Sequence, residues 1–377
     1  MDPFVADGAA EIASRAHREL EALVGVSSPS GDVDGAEEAL AVCAALLPPQ
    51  AEIERVQCST PGSAPDLIAR IKGQGSGTLL LLGHVDTVIG HSSHTPLRRD
   101  GERLYGPGTV DMKGGVVLSL GVARALAARP ETFAEVSLLL VTDEEWRRHR
   151  FRHIERFAGY HACLCFEGGQ LSADGDEGVV VKRKAAGTMR VEATGRAAHS
   201  GSATDQGRNA LLALAAVAIE TARLHDPDGP ERLSVVPTIV RSGDAFNVVP
   251  AQGELLFDMR ADSSDSFETV RAGVPRERDG VTLEAEMQRV WPGMDSVEAT
   301  RELLQRAGER LGRAIVGVSR GGASDASHFA PSIALTVDGL GPRGGAAHNP
   351  GEFVLAPSLR GRAEVALALA AQVLADS

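Results

Sequence analysis

Aromatic residues are scarce in this 377-residue sequence: two Trp, two Tyr and ten Phe make up only 4% of it. Few side chains are therefore available as stacking platforms for nucleobases. Positive charge is also in short supply, since 38 Lys and Arg face 51 Asp and Glu and leave a formal net charge of −13. That balance repels nucleic acid and anionic membranes, and neither is an expected partner. Only four cysteines occur (Cys43, Cys58, Cys163 and Cys165), too few and too scattered for a disulfide scaffold. No apolar run approaches the roughly 18 residues that span a bilayer. The acidic start "MDPFVADGAA" lacks the character of a secretory signal, so a cytoplasmic protein with reduced thiols is expected. What remains is ordinary for a globular chain: 43% apolar and 24% charged residues, at a length that suggests roughly two domains.

Helical periodicity marks "GAAEIASRAHRELEALVGV", "GAEEALAVCAALLP" and "GGVVLSLGVARALAARP". Strand-like runs are "PDLIARIKG", "GTLLLLGHVD", "AEVSLLLVTDEE" and "HACLCFEGG". This alternation predicts an α/β layer with a mixed, largely parallel sheet. From about 184 to 290 the texture becomes α+β: strands at 188–193, 233–241, 244–249, 252–260 and 281–289, with helices at 208–224 and 264–273. An inserted domain at 184–290 is expected, within a main domain built from 1–183 and 291–377.

The stretch "LLLLGHVDTV" ends an apolar strand in His84 and Asp86, which share one face because strand side chains alternate. Asp143 to Glu145 and Glu167 likewise close apolar runs, and parallel sheets place such strand ends along one edge. Clustering an imidazole with several carboxylates is costly unless a cation pairs with them. A divalent metal meets that need, with His84, Asp86, Asp111, Glu144, Glu145, Glu167 and His348 as candidate ligands or neighbours.

In this order, "GHVDTV", "GPGTVDMKGG", "TDEE", "FEGG" and "AAHNPGEFV" resemble the co-catalytic di-zinc peptidase and amidohydrolase family. Aminoacylase-1, acetylornithine deacetylase, succinyl-diaminopimelate desuccinylase and glutamate carboxypeptidase G belong to it, and the carboxypeptidase G type is the nearest in look. The likeness covers most of the chain and implies a zinc-exopeptidase-like catalytic domain with an inserted α+β lid and dimerisation domain. It implies two zinc ions per chain (cobalt or manganese in their place) bridged by Asp111, one also held by His84 and Glu167, the other by Glu145 and His348. Asp86 would orient His84, Glu144 would act as general base, and the Asp111–Met112 bond would be cis. Within the insert, His199 would reach the active site of a second copy and steady an oxyanion. Asn247, Arg260 and the glycine-rich loop around Gly321 and Gly322 would contact a substrate carboxylate. The implied reaction is hydrolysis of an amide in an N-acyl amino acid or short peptide by a homodimer.

Two departures stand out. Relatives follow the paired glutamates with a glycine–serine turn, whereas "EEWRRHRFRHIERF" has no glycine and reads as a basic helix face. His149 and His153 are four apart there, but Arg150 stands where a metal-binding HExxH helix requires Glu. Trp291 precedes Pro292 where glutamate-releasing relatives carry arginine, which suggests an apolar substrate group near Trp291. The altered loop motivates a second reading, a catalytically silent binding or scaffold protein. A third keeps the fold and cleaves another C–N bond, carbamoyl or formimidoyl.

Overall fold

The computed structural model describes residues 1–377, which form two compact units: residues 1–182, 295–319 and 324–377, and residues 183–294 with 320–323.

A six-stranded mixed sheet forms the heart of the first unit. Its strands lie in the order Glu52–Val56, Asp66–Lys72, Glu135–Val141, Thr78–His84, Ala162–Cys165, Leu335–Val337. The last four run parallel, while the first two pair antiparallel. The parallel strands are buried almost throughout, as sheets covered on both faces require. Helices Pro3–Val24, Lys113–Ala127 and Ala356–Ala375 pack against one another, and the latter two also touch the central strand. Helix Pro3–Val24 shows why it forms: Val5, Ala9, Ile12, Ala16, Leu20 and Leu23 recur at three- and four-residue spacing and make one buried stripe. Asp2 caps its start by accepting from the Phe4 N–H, with Pro3 at the first position.

One glycine is needed where a helix start meets a strand end. A Cβ at Gly115 would lie 1.8 Å from the Phe166 carbonyl oxygen, so only glycine lets the start of helix Lys113–Ala127 approach the strand end carrying Glu167.

The second unit is an antiparallel sheet in the order Ser234–Ser242, Gln252–Ala261, Ala185–Thr194, Val281–Trp291, Glu277–Arg278. Alternate residues face helices Ala210–Ala222 and Asp265–Ala272, burying Met189, Val191, Leu255, Phe257 and Met259 with Leu214, Val217 and Phe267. Residues 244–249, expected as a strand, form a loop with Phe246 fully exposed. Gly243 in the left-handed region and Pro250 bound that segment, so pairing stops on both sides.

Residues 146–158 do not form the expected basic helix; the segment holds only short 3₁₀ turns at Glu144–Trp146 and Ile154–Phe157. No helix in the structure is long and apolar enough to cross a membrane.

Candidate metal centre

Parallel pairing brings the strand ends together: Leu82 lies opposite Cys165, and His84 opposite Val141. His84 closes its strand, Glu144 and Glu145 follow the strand ending at Val141, and Glu167 follows the one ending at Cys165. Asp111 arrives from the turn before helix Lys113–Ala127, and His348 from a loop where it adopts φ 64°, the left-handed region. The Asp111–Met112 peptide bond is cis.

The Asp111 carboxylate divides between two imidazoles. Its Oδ1 is 3.2 Å from His84 Nε2, and its Oδ2 is 3.0 Å from His348 Nε2. Each imidazole has one further carboxylate: Glu167 Oε1 lies 3.7 Å from His84 Nε2, and Glu145 Oε1 lies 3.1 Å from His348 Nε2. The donor atoms within each trio, His84–Asp111–Glu167 and Asp111–Glu145–His348, all lie within 4.8 Å of one another. Glu145 Oε1 is buried and, despite its short distance to His348, makes no hydrogen bond of acceptable geometry. Donor atoms gathered this closely, with Glu145 Oε1 left without a hydrogen bond, suit a cation between them, and imidazole nitrogen with carboxylate oxygen suits zinc, cobalt or manganese. The residues present fit a pair of divalent metals.

Electrostatics support that fit. Burial alone would push the His84 imidazole down, but Asp111 and Asp86 outweigh it and hold the ring well above its usual range. His348, beside Asp111 and Glu145, is pushed up to about 10. Burial would raise Asp111, yet the two imidazoles hold it well below the usual carboxylate range. Without metal, protons on the imidazoles supply the positive charge that these carboxylates require. Burial pushes Glu144 the other way, well above an ordinary glutamate, and nearby Glu167, Asp325 and Glu145 add to it.

Asp86 does more than orient His84. Its backbone carbonyl lies 3.0 Å from His84 Nδ1, and its Oδ1 is 3.3 Å from the same nitrogen. Both contacts favour a proton on Nδ1 and leave Nε2 toward Asp111. The same carboxylate accepts from the backbone N–H groups of Glu144 (3.1 Å) and Glu145 (3.2 Å), so one buried group fixes both the imidazole and the glutamate turn. Ser30 Oγ donates to it at 2.7 Å.

Three further buried polar residues adjoin the centre's turns in sequence or by hydrogen bond, and the sequence alone gave them no role. Glu352 accepts from the N–H groups of Gly108, Val110 and Asp111, at 3.0, 2.7 and 2.9 Å, and fixes the turn that presents Asp111. It stands four residues after His348, the one signal that could have pointed to it. Buried Lys113 donates to the Val26 carbonyl at 2.7 Å. Arg147 is fully buried: Nε donates to Asp143 Oδ1 at 2.9 Å, and its Nη atoms make a two-point contact with Asp325. Its guanidinium carbon lies 4.5 Å from the Phe151 ring centroid. His153, expected on a basic helix face, is buried and pairs with Asp66 at 2.8 Å.

His199, Asn247, Arg260, Gly321 and Gly322 belong to the second unit. His199 bridges to Val248, and the Ser200 N–H donates to the Asn247 carbonyl at 3.0 Å, so the two loops are neighbours. Arg260 makes a two-point contact with Asp258, at 3.2 and 3.0 Å. The Gly322 carbonyl accepts from Arg183 at 2.7 Å, and the space beside Gly321 is open. Trp291, expected beside substrate, is only 2% exposed and stacks under Arg289.

The sequence pattern of peptidase family M20/M25/M40 matches residues 80–372. Carboxypeptidase G2 from Pseudomonas sp. (strain RS-16) is 27% identical over 353 residues, 88% of this chain and 82% of its own length. Succinyl-diaminopimelate desuccinylase from Stenotrophomonas maltophilia (strain R551-3) is 28% identical over 306 residues, 75% of this chain and 80% of its own. Among solved structures, a dinuclear metal-binding peptidase of the M20 family from Bacillus subtilis superposes with a TM-score of 0.71 at 17% identity. That alignment covers 98% of this chain and 99% of the other, a likeness of fold.

Proposed function

The chain belongs to peptidase family M20/M25/M40, and on that footing we propose that it is a two-zinc hydrolase releasing an amino acid from an N-acyl amino acid or short peptide with a free carboxylate. The observation that carries this reading is the division of Asp111 between His84 and His348, each with its own second carboxylate, Glu167 and Glu145. A metal pair held there supplies a Lewis acid for the amide carbonyl and lowers the pKa of water. Glu144 takes the proton of the attacking water and returns it to the leaving nitrogen. Its backbone is held by Asp86, which keeps its position beside the metal-binding carboxylates fixed. Cobalt or manganese in place of zinc fits the same donor set.

Substrate recognition is assigned to the insert and its neighbours. Asn247, Arg260 and the backbone at Gly321 and Gly322 are to engage the substrate carboxylate, with Arg260 exchanging its Asp258 contact for it. His199 is to serve the active site of a second copy. A homodimer through 184–290 is supported by apolar side chains on the sheet's edge strand (Val236, Ile239, Val240) and on helix Ala210–Ala222 (Leu212, Ile219), all exposed. The catalytic work falls to 1–183 and 291–377. The four cysteines are buried and form no disulfide, in agreement with a cytoplasmic setting.

The deciding experiment is Glu144→Gln, with bound metal and turnover of an N-acyl amino acid and dipeptide panel measured side by side. Metal content is to stay at the wild-type level while turnover falls by about 10²–10⁴-fold. Lost metal or retained turnover overturns the assigned role.

A further inference from the structure

The segment after Glu145 alternates in direction. Arg147, Phe151 and His153 turn inward and are buried, while Arg148, His149, Arg150 and Arg152 are exposed. The inward residues are firmly held. Arg147 is clamped by Asp143 and Asp325, Phe151 stacks on His328 with ring centroids 5.1 Å apart, and His153 pairs with Asp66. The outward residues are therefore presented by a packed scaffold.

Their charges are uncompensated. Arg147 and Arg156 form ion pairs within this segment, but Arg148, Arg150 and Arg152 form none, in a chain whose carboxylates outnumber its basic groups. Three exposed arginines within five positions, none paired with a carboxylate, give this stretch a local positive charge that favours an anion beside it. Arg150 and Arg152, together with His149, Ser59, Phe151 and Glu155, line an open groove of about 490 Å³. Glu155 offers one carboxylate against two guanidinium groups, so the groove is net positive. It is also tied to the catalytic turn: Ser59 Oγ accepts from the Arg152 N–H at 3.2 Å, and the next residue, Thr60, donates its N–H to Asp143 Oδ2 at 2.9 Å.

We infer that this groove is a second, anion-binding site that takes the side-chain carboxylates of an acidic peptide, held by Arg150 and Arg152 with His149 at its edge. Guanidinium groups grip carboxylates through two parallel hydrogen bonds, and two of them two residues apart suit a chain bearing several carboxylates rather than one small anion. Arg150 stands five positions after the metal-facing Glu145, a chain reach of at most about 18 Å. One extended acidic peptide spans that interval, and this continuity rests on the peptide-hydrolase reading. The groove thereby names a substrate class: amides whose distal residues are acidic.

The test uses the full-length, zinc-loaded protein and a fluorescein-labelled hexa-aspartate peptide, with binding read by fluorescence anisotropy. Expected is saturable binding that added salt weakens, that labelled hexa-asparagine does not show, and that falls at least about tenfold in R150Q/R152Q. Both substituted residues are exposed, so the variant keeps its fold, which circular dichroism checks. Glu144→Gln is expected to bind the peptide as the wild type does, because the readout needs no turnover. Binding by a protein that hydrolyses no amide supports the groove and fails the hydrolase reading alone. Amide turnover without peptide binding, or binding unchanged in R150Q/R152Q, overturns the groove. Displacement of the peptide by inorganic phosphate at lower concentrations than by unlabelled hexa-aspartate overturns the peptide assignment in favour of a small-anion site.

Discussion

Replacing Arg147 by methionine removes the only guanidinium lying between two buried carboxylates, Asp143 and Asp325, which are 2% and 3% exposed. Methionine fills much of the volume, so the loss is electrostatic before it is a loss of packing. Breaking a buried pair by removing one partner costs about 3–5 kcal/mol, because the remaining charge is left without compensation. An exposed arginine in a surface pair would cost only about 0.2–1 kcal/mol. Full burial of Arg147 and its contacts to both carboxylates place it in the first class. The assay is urea denaturation of the metal-free protein by circular dichroism, since bound metal would add its own stabilisation to the folded state. A loss of about 3–5 kcal/mol is expected for R147M. The triple variant R147M/D143N/D325N separates causes: with both charges removed as well, it is to lose less than R147M alone. A loss below about 1 kcal/mol in R147M, or a triple variant weaker than the single one, refutes the reasoning. Metal-loaded R147M is also expected to lose turnover, because Asp143 directly precedes Glu144 and Asp325 precedes the short helix Ala326–Phe329.

Metal uptake is expected to release protons at neutral pH. Without metal the His84 ring is held well above its usual range and His348 at about 10, so both are protonated and must give up those protons to bind a cation. Affinity therefore rises with pH, and calorimetry in buffers of different ionisation enthalpy is to show net release; uptake of protons contradicts the assignment. Gly115→Ala forces a Cβ within 1.8 Å of the Phe166 carbonyl oxygen. It is expected to cost about 1–3 kcal/mol of stability and to weaken metal binding through the adjoining Glu167, both measurable on the purified variant. All four cysteines are buried and none is in a disulfide, and burial pushes the Cys43 thiol up to about 12. A thiol-reactive dye is thus expected to label none in the native protein and four after denaturation.

What the sequence disclosed and what it hid divide along a physical line. The central strands announce themselves as short apolar runs, and the polar tip of each is conspicuous because a carboxylate at the end of such a run needs a partner. His84, Asp86, Glu144, Glu145 and Glu167 could therefore be singled out one strand at a time, and the parallel register of the sheet brings them together. Asp111 and His348 sit in glycine-flanked turns with no apolar run to mark them, and it was the likeness of their surrounding motifs that gave each a definite role. The segment after Glu145 failed differently. Five arginines and two histidines within 146–156 look solvated when their partners are out of view. Arg147 meets Asp325 across 178 residues, and His153 meets Asp66 across 87, separations that local spacing cannot encode. The burial of Trp291 was likewise out of view, since it depends on the strands packed around it rather than on the proline beside it. A basic run in an acidic chain is thus two populations. Some of its members are buried because distant carboxylates require them, and the others, left outside without partners, are the ones open to a ligand.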